Sequence, residues 1–353
     1  MYRGKIDELE KLFQSQPFTK LGFFPTPLYK VEKISKELGI ELYLKRDDLT
    51  GPSVFGGNKI RKLEFLMGDA IEKGASYVIT YGATQSNHAM QTATAANKCG
   101  LKPILYLVAV VPPDESDLRG NLLLDKLLGA EVHIIDLKPG MTEEDGDKLG
   151  YKMAKERIAE LAREGKVCYD IPIGGSTPVG TLGFAKGFLE LAAQLEDENI
   201  GKIDYLFATA GSGGTLGGIL TGQAMLDYDT KVIGVAASPK GPGYVHKVAG
   251  LTNDALGLLG LDKSISANDV AVDTNYVGEG YEIPTEASSE AIKYFARKEG
   301  IIIDPVYTAK TMSGLIDYVK KGIIPQGSKV VFWHTGGGTA LFAENKIVGN
   351  IFD

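Results

Sequence analysis

Cysteine is nearly missing from this chain: Cys99 and Cys168 are the only two in 353 residues. Two thiols without metal-like spacing make neither a disulfide framework nor a metal site, so both are expected as reduced fillers of a helix and a strand. A basic tract is missing as well. The formal charge is −7 with acidic and basic residues interspersed, which argues against nucleic acid and against a polybasic membrane contact. Long apolar runs are also lacking. The longest, 103–113, is about half a membrane span and reads as a buried strand. Residues Met1 to Glu8 lack the charged-then-apolar order of a signal peptide, and no internal repeat or low-complexity segment interrupts the chain. These absences point to a soluble cytoplasmic protein.

What is present is an alternation of apolar strands with amphipathic helices. The strands are expected at 77–81, 104–110, 132–136, 167–170, 205–209, 232–236 and 330–334. Helices are expected at 59–73, 86–98, 121–128, 142–164, 181–195, 214–225, 286–298 and 309–320. Strands apolar on both faces, separated by helices, imply an α/β fold of parallel-type sheets flanked by helices, with functional loops at the carboxyl ends of the strands. A chain of 353 residues exceeds the size at which one core keeps growing, so two subdomains are expected. The seams fall near Phe55–Lys59 and in the glycine- and proline-rich run Pro172–Pro178.

Three glycine-bearing elements stand where chemistry would. In Phe55-Gly56-Gly57-Asn58-Lys59-Ile60-Arg61-Lys62-Leu63-Glu64, Lys59 sits where a glycine turn meets a helix start, and a lysine whose surroundings lower its pKa serves as base or imine former. Lys62, in the Arg61-Lys62 pair followed by Glu64, reads as solvated charge on another face of that helix. After the strand ending at Tyr81, Gln85-Ser86-Asn87-His88 opens a helix whose first N–H groups suit a carboxylate. After the strand ending at Thr209, Gly211-Ser212-Gly213-Gly214-Thr215 forms a nest suited to one phosphate. The last loop fits neither the dinucleotide nor the Walker pattern. A placed lysine, a phosphate cup and a carboxylate cup together suggest pyridoxal 5'-phosphate carrying a small amino acid. A nucleotide-binding protein without chemistry would need the glycine loop but not Lys59, Tyr307 and the carboxylate cup.

These residues, with Lys45-Arg46-Asp47-Asp48-Leu49-Thr50 before them and Asp304-Pro305-Val306-Tyr307-Thr308 after, resemble the D-cysteine desulfhydrase and 1-aminocyclopropane-1-carboxylate deaminase family of pyridoxal phosphate enzymes. The resemblance runs from about Phe24 to Phe342 and implies a tryptophan-synthase-β-like fold (fold type II). It implies a larger cofactor-binding subdomain from 1–58 and 175–353, a smaller mobile one from 59–174, and a homodimer. Lys59 would hold the cofactor as an imine and act as base at Cα, with Asn58 beside it. Gly211, Ser212, Gly213, Gly214 and Thr215 would hold the phosphate. Ser86, Asn87 and His88 would receive the substrate carboxylate, and Asn87 would also approach the ring hydroxyl. By the same resemblance Tyr307 stacks on the pyridine ring, Thr308 bonds the ring nitrogen, Thr335 faces the cleft, and Tyr281 assists proton transfer to the leaving group.

Ring-opening members resemble this chain less at three places, carrying glutamate at position 308, leucine at 335 and glutamine at 88. The implied activity is therefore α,β-elimination, with D-cysteine giving pyruvate, ammonia and sulfide. Ring opening of aminocyclopropane carboxylate and loss of sulfite from cysteate are the alternatives. Met90 stands where the desulfhydrases commonly have arginine, so the substrate of this chain need not be plain D-cysteine.

Overall fold

The structure is a computed structural model and describes residues 2–52, 56–114 and 116–351. Phe55, the first residue of the lysine motif and of the expected seam, lies outside the described residues. The strands are β1 (Leu28–Lys30), β2 (Glu41–Arg46), β3 (Tyr77–Ala83), β4 (Lys102–Ala109), β5 (Glu131–Asp136), β6 (Cys168–Ile171), β7 (Tyr205–Ala210), β8 (Lys231–Ala236), β9 (Ala271–Asp273) and β10 (Lys329–His334). They form two sheets. One has six strands in the order β1-β2-β10-β7-β8-β9, and the other has four in the order β5-β4-β3-β6. Every pairing is parallel except β1 with β2. The four-stranded sheet thus comes from one continuous stretch, and the six-stranded sheet from the chain on both sides of it.

All seven expected strands and all eight expected helices are present within a few residues of their expected limits. Three strands were not expected: β1, β2 and β9. Two of the unexpected helices, Glu32–Leu38 and Tyr244–Leu258, also matter. Strand β2 (ELYLKR) is easy to overlook because it ends in charge, yet Lys45 is fully buried. Its ammonium donates to the Thr26 carbonyl (2.8 Å) and to Glu190 (2.5 Å). A paired charge can occupy an interior strand position that an unpaired one cannot.

The helix Pro178–Asp197 starts three residues before its expected limit. Thr177 caps it, accepting the Gly180 N–H at 3.0 Å, and Pro178 takes the first turn where no N–H is needed. This helix lies against Gly214–Leu226 at a distance set by two glycines. A Cβ on Gly218 would stand 2.3 Å from the Phe184 Cβ, and one on Gly222 2.4 Å from that of Phe188. Close approach of these helices fixes the glycine loop, since that loop is the N-terminal end of the second helix.

The largest departure concerns the helix Lys59–Glu72. Every residue from Ile60 to Ala70 is buried. The helix packs against Pro178–Asp197 and Asn87–Lys98, so no face is left for solvated charge. Lys62 is 1 % exposed and Arg61 3 %. The surface assignment of Lys62 is thereby corrected: the polar positions between its leucines face other protein, not water.

Candidate active site

A cavity of about 400 Å³ opens at the carboxyl ends of β3, β7, β8 and β10, where parallel sheets place their functional loops. It is lined by Asn58, Lys59, Ser86, Asn87, His88, Gly211, Ser212, Gly213, Thr215, Tyr281, Tyr307 and Thr335. Twelve of the fourteen residues expected at the site therefore share one cavity. Gly214 and Thr308 lie behind its wall.

Lys59 is placed by its neighbours on both sides. Gly57 has φ +140, and a Cβ there would meet the Gln91 amide at 2.2 Å, so the chain turns into the helix only with glycine. Asn58 is the hinge pin. Its N–H donates to the Thr335 carbonyl (3.0 Å), its Nδ2 donates to Thr215 Oγ1 (3.0 Å), and its Oδ1 accepts from Lys59 Nζ (2.8 Å). Burial lowers the Lys59 pKa to about 8, with Asp304 partly opposing. A sizeable fraction of this amine is neutral near physiological pH, as a nucleophile or base requires.

Lys62 is the buried amine beside the site that the sequence reading placed in solvent. Its Nζ donates to the Gly174 carbonyl (3.0 Å), and a Cβ on Gly214 would stand 2.9 Å from it. Burial, then repulsion from Lys59 and Lys247, holds its pKa well below that of a free lysine. The only signal in the sequence was its spacing of three from Lys59, which sets both amines on one side of the first turn.

Around the glycine loop, Gly213 takes φ +107 just before the helix Gly214–Leu226. The Gly214 N–H donates to Ser176 Oγ (3.0 Å), and Ser176 donates to Ser212 Oγ (2.7 Å). Gly214 is thus engaged by a hydroxyl from the seam and not by the open cavity. Lys247 and Tyr244, from the unexpected helix Tyr244–Leu258, close the other side. The Tyr244 hydroxyl is buried with no partner.

Ser86 caps Asn87–Lys98, accepting the Ala89 N–H at 3.2 Å. His88 Nε2 meets Thr80 Oγ1 at 2.8 Å, and that hydroxyl donates to the Ile171 carbonyl (2.8 Å). Nε2 therefore carries the proton and donates. Burial, then Lys59 and Lys62, keeps the His88 pKa well below its ordinary value, so the ring is neutral.

Tyr281 and Tyr307 are joined hydroxyl to hydroxyl, with ring centroids 5.9 Å apart. Burial raises both pKa values, leaving two neutral phenols. Beneath Tyr307, Asp304 accepts the N–H groups of Val306, Tyr307 and Thr308 at 2.7–2.9 Å. The Thr308 hydroxyl donates to the same carboxylate at 2.5 Å. Its single proton is used there, which is why Thr308 stands behind the wall and not in it. Thr335 lines the cavity, and its carbonyl accepts the Asn58 N–H.

The residues fit pyridoxal phosphate. Lys59 and Lys247 line the cavity, Lys62 stands just behind it on the carbonyl of the lining residue Gly174, and neither Lys59 nor Lys62 has a carboxylate within ion-pair distance among the described residues. A phosphate dianion at the glycine loop would offset that charge.

The comparisons agree with this chemistry. A family profile described as pyridoxal-phosphate dependent enzyme matches residues 19–336. A Pyrococcus horikoshii protein, named provisionally as a 1-aminocyclopropane-1-carboxylate deaminase, is 42% identical over 326 residues, covering 92% of this chain and 93% of its own. A Methylobacterium nodulans 1-aminocyclopropane-1-carboxylate deaminase is 37% identical over 339 residues, covering 94% and 97%. A solved structure described as an ACC deaminase homologue superposes with a TM-score of 0.84 at 40% identity, covering 95% of this chain and 96% of that one. With a lysine, a glycine cup and two tyrosines meeting in one cleft between parallel sheets, this chain belongs to the fold type II pyridoxal-phosphate-dependent enzymes, in the 1-aminocyclopropane-1-carboxylate deaminase and D-cysteine desulfhydrase family.

Proposed function

We propose that the protein is a lyase that removes a β-substituent from a small amino acid, with D-cysteine the first candidate. When bound, pyridoxal phosphate supplies the electron sink for a carbanion at Cα. The chain supplies the rest. The Gly211–Thr215 loop with Lys62 and Lys247 holds the phosphate, and the helix start at Ser86 and Asn87 holds the substrate carboxylate. Lys59, buried and partly neutral near pH 8, takes the proton from Cα. The Tyr281–Tyr307 pair keeps a phenolic proton within the cavity for the departing sulfur.

The observation that carries the choice is the cavity wall at Tyr307. Thr335 lines it and carries no carboxylate, Thr308 brings none to it, and the acids that line the cavity are Glu143 and Asp147. A site without a carboxylate at the ring leaves the cofactor a moderate sink. That suits loss of a good leaving group such as a thiolate better than opening of an unactivated ring. The second reading, ring opening of aminocyclopropane carboxylate, is favoured by the names of the relatives. Loss of sulfite from cysteate is a third.

The domain boundaries given above, closure of the smaller subdomain, a homodimer and a cytoplasmic setting belong to the same proposal. The deciding experiment is a keto-acid release screen on the purified holoenzyme over D-cysteine, L-cysteine, β-chloro-D-alanine, cysteate, D-serine and aminocyclopropane carboxylate. Sulfide and pyruvate from cysteine support the proposal. Ring opening with no sulfide from either cysteine enantiomer replaces it with the deaminase.

A further inference from the structure

Asn87 lines the cavity, and an asparagine can present either a donor or an acceptor there, depending on which way its amide is turned. A chain of hydrogen bonds decides which. It begins at the Gln85 carbonyl, which can only accept. Asn121, fully buried at the start of the helix Gly120–Leu127, donates its Nδ2 to that carbonyl at 2.8 Å. The same Nδ2 donates to Asn87 Oδ1, also at 2.8 Å. From the opposite side Thr339 donates its hydroxyl to Asn87 Oδ1 at 3.1 Å. Turning Asn121 over would set oxygen against oxygen at both contacts. Turning Asn87 over would set its NH₂ against that of Asn121.

The backbone holds Asn121 in place as well. Its N–H donates to Gln85 Oε1 (2.8 Å), and Gln85 Nε2 donates to the Arg119 carbonyl (3.2 Å) and to Glu344 (3.3 Å). A Cβ on Gly120 would fall 2.3 Å from Gln85 Oε1, so the nook admits no larger residue before Asn121. Asn121 Oδ1, meanwhile, is buried with no partner. A buried acceptor left unpaired is costly, and here it is tolerated because only the donor end of this amide serves its neighbours.

We propose that Asn121 is a positioning residue that sets the polarity of Asn87, so that Asn87 turns its Nδ2 donor and not its carbonyl oxygen to the cofactor's ring oxygen. With Oδ1 occupied by two donors, Nδ2 is the side-chain atom of Asn87 that is left for a ligand among the described residues. The inference rests on the pyridoxal phosphate site described above. It adds a residue that touches neither cofactor nor substrate. It also links the two sheets at this point, because Asn121 follows β4 of the four-stranded sheet and Thr339 follows β10 of the six-stranded one.

The test is the pH titration of visible absorbance in holoenzyme, together with cofactor retention on dialysis. A donor on the ring oxygen weakens that oxygen's hold on the neighbouring proton. Asn121→Leu, close in size and without a donor, should therefore raise the absorbance midpoint by about one pH unit and weaken retention about tenfold. Thr339→Val removes the longer bond, leaves the Asn121 lock in place, and should move both readouts the same way by less. It also serves if Asn121→Leu does not fold. Asp125→Asn, a buried neighbour one helical turn on, should leave the midpoint where it is. A midpoint unmoved in both Asn121→Leu and Thr339→Val, with native protein binding cofactor normally, overturns the polarity inference alone. A midpoint that moves equally in Asp125→Asn also overturns it, as a mere packing effect. Native protein that takes up no pyridoxal phosphate would overturn the inference and the site reading together.

Discussion

Opposite sides of the helix Lys59–Glu72 carry cations in opposite circumstances. On one side Arg61 donates to both oxygens of Asp47 (2.7 and 2.8 Å) and both of Glu190 (3.0 and 2.9 Å), while Trp333 and Lys45 complete the cluster. Burial alone would push the Arg61 pKa down, but Asp47 and Glu190 hold it above its ordinary value. Burial would likewise raise Glu190, yet Arg61 and Lys45 keep it at about 2. On the other side Lys59 and Lys62 face an asparagine oxygen and a backbone carbonyl, and both pKa values fall. Full compensation makes a charge part of the scaffold. Missing compensation makes it reactive, or makes it wait for an anion.

The most drastic way to break that comparison is to remove the reactive member. Lys59→Ala should abolish borohydride-reducible absorbance and lower turnover by several orders of magnitude, while circular dichroism stays native. Persistence of that absorbance would transfer the imine role to another amine of lowered pKa nearby, Lys62 behind the cavity wall or Lys240 in it.

The scaffold side predicts the reverse pattern. Arg61→Met strands Asp47 and Glu190 without their main counter-ion. Breaking a buried pair costs about 3–5 kcal/mol, to be read as a lower urea midpoint. Whatever fraction remains folded should still take up cofactor. A stability loss below about 1 kcal/mol would mean that the cluster is dispensable and that the two sides differ less than their geometry says.

This contrast also explains what was legible in the sequence. Lys59, Ser86 and the Gly211–Thr215 loop announce themselves because glycine turns and caps are local signals, read within a few residues. Lys45, Arg61, Lys62 and Glu64 were harder. Their burial is decided by partners far along the chain: Glu190 for Lys45 and Arg61, Gly174 for Lys62, and the N–H groups of Leu21 and Gly22 for Glu64. Charge inside the helix Lys59–Glu72 looked like a solvated face because periodicity cannot show that both faces are covered. The helix Tyr244–Leu258 was missed for a different reason. It follows the glycine- and proline-rich Pro239–Gly243, has no side-chain cap, and brings Tyr244 and Lys247 to the cavity while packing on the helices Pro178–Asp197 and Gly214–Leu226. Thr308 shows the converse limit. Its place beside Tyr307 was plain in the sequence, but the use of its proton by Asp304 was not.

A smaller effect separates the two lysines. Lys62→Met removes a buried amine assigned to the phosphate, so cofactor retention should fall by about one to two orders of magnitude. The folded apoprotein should lose no stability. The sign follows from linkage. With its folded pKa depressed, Lys62 binds its proton more readily in the unfolded chain, so native apoprotein gains stability as pH rises through that window toward 10.5. The variant should lack that part of the slope in pH-dependent unfolding. Apoprotein that is less stable in Lys62→Met, with cofactor retention unchanged, would place Lys62 with Arg61 as scaffold.

The mildest test leaves the sequence alone. If Lys59 is partly neutral because burial holds its pKa at about 8, apoprotein should capture pyridoxal phosphate faster as that amine loses its proton. Only the neutral amine attacks a carbonyl. From pH 7 to pH 9 the neutral fraction rises about tenfold and then levels off, whereas an ordinary lysine would still be climbing beyond pH 10. Arg61, held protonated by two carboxylates, contributes nothing to the profile. Stopped-flow absorbance of apoprotein mixed with cofactor, at constant ionic strength, reads the curve directly. A capture rate that keeps climbing past pH 10 would show Lys59 to be as basic as a free lysine, and the contrast between the two sides of its helix would rest on geometry without a difference in reactivity.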